Sequence, residues 1–168
     1  MTWTGPSTCW IAWRYQPVSS ADDPFDLARF VAAQKQGDTY GRALREVEQG
    51  RKVTHWMWFV YPQLAGLGRT ETSRFYAISG LDEARAYLAH PILGARLRAC
   101  ARAAAAVEGR SAEQVFGSTD AAKLRSSMTL FGVADPAEPA FIAVLDRYFD
   151  GEPDPVTLRL LGRSAGSG

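Results

Sequence analysis

The sequence of 168 residues predicts an all-α protein, a single multihelical globular domain with a short buried aromatic central helix. Three observations carry that prediction. Proline or a capping residue opens one segment after another, and glycine closes most of them. Apolar residues inside those segments recur three and four positions apart, and no run shows the period-two alternation of a half-buried strand. A composition of 46% hydrophobic and 22% charged residues is that of an ordinary globular chain, which excludes disordered, collagen-like and fibrous classes. A chain of this length forms one domain and buries roughly 70% of its unfolded surface.

Each element has its own punctuation. Asp23-Pro24 pairs an N-cap with proline at a first helical position, and Phe25 to Val31 continues with helical spacing. Gly37 stops that helix, Asp38 starts the next, and Gly50 ends it. Residues 53–61 are apolar nearly all round and read as a buried helix ended before Pro62. His90-Pro91 opens a long helix to Val107, with Leu93, Leu97, Cys100, Ala104 and Val107 on one stripe. Ser111 and Gln114 form a capping box in a helix that closes at Gly117. Residues 119–133, 139–149 and 155–161 supply the last three helices, the final two stopped by Gly151 and Gly162. The organisation is then an N-terminal extension or packed arm (1–21), the domain (22–162) and a loose tail (163–168).

Other classes are excluded or disfavoured. The formal net charge of +1, with acids interleaved among the arginines, makes nucleic acid an improbable partner. No apolar run approaches the ~18 residues a membrane span needs, and residues 1–21 lack a signal-peptide pattern. Two cysteines, Cys9 and Cys100, read as reduced thiols in a cytoplasmic protein. His55 and His90 are the two histidines, and no CxxC or HExxH spacing accompanies them, so neither a metal site nor a cofactor is expected. Nothing in the sequence specifies an oligomeric state.

Candidate functional residues are those that break the helical pattern. In 119–133, Leu124, Met128, Leu130 and Phe131 define an apolar arc, yet Asp120, Lys123 and Ser127 fall inside it. The opposite face carries Ala121, Ala122, Arg125 and Thr129. An ion facing a core is costly unless it is paired or faces a ligand. Either Asp120 and Lys123 simply pair, or Lys123 lines a polar cavity with Ser126 and Ser127. Lysine is scarce beside arginine, occurring only at Lys35, Lys52 and Lys123, which adds interest to Lys123.

The second irregular stretch is His55-Trp56-Met57-Trp58-Phe59, followed by Tyr61-Pro62-Gln63. Buried Trp and His need hydrogen-bond partners. His55 is either a satisfied core histidine or an acid–base group, with Trp56 or Trp58 as a stacking wall. Gly66-Leu67-Gly68-Arg69, then Arg74, reads as an interhelical turn or as a loop offering N–H groups and cations to an anion. His90, before a proline, reads first as a cap.

The blocks DPFDLARFVAAQ, GRKVTHWMWFVYPQLAGLGRTETSRFYAI, LDEARAYLAHPILGARL and KLRSSMTLF resemble the bacterial domain-of-unknown-function family eighteen-ten, in order over about residues 22–161. The resemblance implies an all-α multihelical fold and brings no activity with it. Members are often labelled "calpastatin", but calpain-inhibiting segments are disordered, whereas this chain is rich in core residues.

Two functions compete. The first is a site for a small anionic metabolite, such as a nucleotide, ADP-ribose or sugar phosphate, in an interhelical pocket. His55 and Lys123 are its candidate catalytic residues. Trp56, Trp58, Gln63, Arg69, Arg74, Ser126 and Ser127 are its candidate ligand contacts. The second is a helical interaction module whose aromatic groove takes a partner, which requires the 53–61 segment to be exposed.

Overall fold

The computed structural model describes residues 22–165; the predicted arm 1–21, with Cys9, lies outside them. Helix α1 (Ala28–Lys35) begins later than the Asp23-Pro24 pair predicts. Asp26 takes a left-handed φ of 52°, so the chain turns first. The Asp23 carboxylate then accepts the N–H groups of Leu27 at 2.8 Å and Ala28 at 2.9 Å. Gly37 (φ 58°) and Asp38 (φ 53°) break the path before α2 (Thr39–Glu48), where the sequence places that break.

Only Met57–Val60 of the predicted 53–61 helix is helical, as α3. The cause is Glu46 on α2, whose carboxylate draws in the preceding backbone. It accepts the N–H of Val53 at 2.8 Å and of Thr54 at 3.1 Å, the Thr54 hydroxyl at 2.7 Å and the Trp56 indole N–H at 2.8 Å. Those bonds fold residues 53–56 back onto α2 as a loop, so the helix begins only at Met57. Burial alone pushes the Glu46 carboxyl up, but the hydrogen bonds from Val53, Thr54 and Trp56 outweigh it and hold it at about 2.

A single parallel bridge joins Leu64 to Ile78, so the residues between them form an excursion carrying α4 (Glu71–Phe75). Arg29 pins its return through the carbonyls of Phe75 and Ala77 and a 2.7 Å ion pair with Glu83. Next come α5 (Leu81–Ala89) and α6 (Leu93–Ala106). Between them the His90 Nδ1 accepts the N–H groups of Ile92 and Leu93, as a cap should.

Helix α7 (Ala112–Phe116) carries the capping box of Ser111 and Gln114. Helix α8 (Ser118–Ala134) then runs through the centre, packed by α5, α7, α9 (Pro139–Phe149) and α10 (Pro155–Ala165). Packing on several sides leaves α8 no outer face at Ala121 and Thr129, both buried despite their predicted solvent side. Gly162 does not stop α10. It lies outside the left-handed region in which glycine ends a helix, and the helix continues to Ala165. The protein is all-α, and no helix among the described residues is long and apolar enough to cross a membrane.

Candidate functional site

The start of α8 faces the excursion across a cavity of about 400 Å³. The cavity is walled by Trp58 and Gln63, by the loop from Leu67 to Thr70 with Ser73, by Thr119, Lys123 and Ser126 of α8, and by Asp154 and Val156 at the head of α10. The loop lies tight against α4. A Cβ at Gly68 would meet the Ser73 Oγ at 2.3 Å, so this position needs glycine for the approach. Thr70 caps α4 by accepting the Ser73 N–H.

Lys123 and Asp120 do pair, at 3.0 Å, but they are not alone. Lys52 reaches the other carboxylate oxygen at 2.8 Å and donates to the Thr54 carbonyl at 2.7 Å. Burial raises the Asp120 carboxyl, yet hydrogen bonds and charge from both lysines prevail and lower it. Two ammonium groups thus share one carboxylate, leaving surplus positive charge at the cavity wall. Each also lies over an indole: Lys52 is 5.0 Å from the Trp56 ring centroid and Lys123 5.1 Å from that of Trp58.

Below Lys123, the Ser126 hydroxyl donates to the Lys123 carbonyl at 3.0 Å and accepts from Gln63 Nε2 at 2.6 Å. Arg69 is exposed at the rim, with no partner among the described residues. Asp154 caps α10: its Oδ2 accepts the Thr157 N–H and hydroxyl, while its own N–H donates to Thr129.

Five of the sequence-predicted residues therefore line one cavity: Trp58, Gln63, Arg69, Lys123 and Ser126. Four do not. His55 is exposed on the loop that Glu46 organises, outside the cavity that holds Lys123. Trp56 is fully buried with its N–H spent on Glu46, so no ligand can stack on it. Arg74 points to solvent from α4. Ser127 turns into the core, where its Oγ has no partner among the described residues.

Lys52, Thr119 and Asp154 were not among the predicted contacts. Asp154-Pro155 had marked only a helix start, although a capping carboxylate keeps one oxygen for other partners. A second cavity, of about 380 Å³ under α1 and α5, is lined mainly by apolar residues such as Leu27, Val31 and Ile92, and no lysine or arginine among the described residues lines it.

A solved structure shares this fold. The crystal structure of the conserved hypothetical protein Rv1873 from Mycobacterium tuberculosis superimposes with a TM-score of 0.81 at 49% identity, covering 83% of this chain and 99% of that one. No curated protein matches the sequence. The family model described as "Protein of unknown function (DUF1810)" matches residues 24–161, which span both the helical core and the cavity, and the chain belongs to that family.

Proposed function

We propose that the protein binds a small anionic metabolite of the phosphate-bearing kind, such as a nucleotide, ADP-ribose or sugar phosphate, in the cavity at Lys123. The observation that carries the reading is the convergence of Lys123, Arg69, Gln63 and Ser126 beside the Trp58 indole in one concave space. A cavity of about 400 Å³ is of metabolite size. The first turn of α8 lacks a side-chain cap, so its amide groups add positive potential at the Thr119 edge.

The reading is one of binding. With His55 outside the cavity, the acid–base histidine paired with Lys123 in the sequence reading is not part of the site. The competing interaction groove has less support, because Trp56, Met57, Val60 and Tyr61 are buried and Val53, at 66% exposure, is the apolar side chain of that segment most open to solvent. A cytoplasmic setting fits the same reading, and the buried free thiol of Cys100 is consistent with it.

A thermal-shift panel tests the proposal. Wild type and Lys123→Met are compared with nucleotides, ADP-ribose, sugar phosphates and simple carboxylates. A ligand at 100 times its Kd adds ~2.7 kcal/mol, a shift of several degrees. The expected result is a shift in wild type from a phosphate-bearing ligand that the variant lacks. No shift from any member, or an equal shift in both proteins, rejects the site.

A further inference from the structure

Resting on that reading, we infer that the ligand is a phosphorylated polyol, with its phosphate on Lys123 and Arg69 and a hydroxyl group donating to Asp154. The inference comes from the donors and acceptors that the protein leaves uncommitted. Lys123 spends one N–H on Asp120 and keeps two. The Arg69 guanidinium has all its N–H groups uncommitted among the described residues. These are donors only, and they suit phosphate oxygens.

Asp154 and Gln63, in the same lining, are of the other kind. Asp154 Oδ2 accepts from Thr157 at 2.9 and 2.6 Å, while Oδ1 accepts nothing among the described residues. Gln63 Nε2 is taken by Ser126, which leaves Gln63 Oε1 as a second free acceptor. A cavity that holds both open cations and open acceptors matches a molecule with an anionic group and hydrogen-bond donors on the same skeleton. A plain carboxylate leaves Asp154 and Gln63 without donors, and inorganic phosphate has only its own P–O–H protons, on the same group that the cations hold. An amino acid offers both an anionic group and donors but carries no net charge, whereas Lys52, Lys123 and Arg69 set against Asp120 and Asp154 leave one positive charge for a net anion. A phosphomonoester with hydroxyls meets every requirement.

The test is calorimetric titration of ribose 5-phosphate and of inorganic phosphate into wild type, Asp154→Asn and Lys123→Met. Asparagine is as good an N-cap as aspartate, so the first variant keeps α10 and folds. Wild type should bind ribose 5-phosphate at least about tenfold tighter than phosphate. Asp154→Asn should lose about tenfold or more for ribose 5-phosphate while phosphate affinity is unchanged or raised. Lys123→Met should weaken both. If ribose 5-phosphate binds no tighter than phosphate, or Asp154→Asn leaves both affinities alone, the polyol inference fails and the anion site stands. If neither probe binds wild type, or Lys123→Met leaves both affinities unchanged, the anion site fails and takes the inference with it.

Discussion

Lys52 and Lys123 each hold one oxygen of the Asp120 carboxylate, at 2.8 Å on Oδ2 and 3.0 Å on Oδ1. The two cations are not equivalent. The Lys52 side chain is 7% exposed and also satisfies the Thr54 carbonyl, whereas Lys123 is 20% exposed and lines the cavity.

That asymmetry separates two substitutions. Lys123→Met leaves Asp120 still paired with Lys52, so it should cost less than about 1 kcal/mol. Lys52→Met leaves the half-buried Thr54 carbonyl without its donor and removes the more buried of the two cations, and should cost about 1–3 kcal/mol. Urea denaturation of both variants checks the order. Equal and large losses would make the whole cluster a structural device.

Glu46 sets the acid limit of stability. Its carboxyl falls from an ordinary 4.5 to about 2 in the folded protein, so below 4.5 the unfolded chain takes up the proton first. Its contribution is therefore fully present above 4.5 and lost as pH falls toward 2. The amount is on the order of 3 kcal/mol. Glu46→Gln should flatten this limb of the stability–pH curve; an unchanged acid limb would place the titration elsewhere.

His90 acts in a different window. Burial lowers its pKa from the ordinary 6.5, against an opposing pull from Asp23. Its Nδ1 accepts two N–H groups, so the cap needs the neutral ring. The stabilisation is fully present above 6.5 and declines as pH drops through the lower folded value. Chemical denaturation of wild type and His90→Asn between about pH 5 and 8 should show the slope in the first and not in the second.

Gly94 is a packing position. A Cβ there would sit 2.1 Å from the Leu88 carbonyl oxygen, which is backbone and cannot step aside. Gly94→Ala should cost at least about 2 kcal/mol. Gly80→Ala, with nothing within 4 Å and extended backbone, is the control and should stay within about 0.5 kcal/mol. Melting temperatures of the pair check the contrast.

Local chemistry explains which parts of this fold the sequence revealed. The capping box at Ser111, the cap at His90 and proline at the first position of α9 are all written within a few residues, and each was legible. Lys123 and Ser127 stood out because they broke the arc of α8, yet Ser127 turns into the core and its neighbour Ser126 reaches the cavity. Glu46 was illegible. On α2 it looks like an ordinary surface acid, and its role depends on a loop seven to ten residues away that turns back onto it. That same loop removed Trp56 and His55 from the cavity, a result no helical periodicity encodes. Asp154 meets α8 only through tertiary packing, so its place in the same cavity as Lys123 emerged from the fold alone.

The most direct measurement is an amide-resolved NMR titration of the wild-type protein with ribose 5-phosphate. The account predicts saturable shifts concentrated at Gly68–Ser73, at Thr119–Lys123 and at Asp154–Thr157, with His55 and Arg74 little affected. Shifts that never saturate, or that gather under α1 and α5 around Val31 and Ile92 instead, would contradict it.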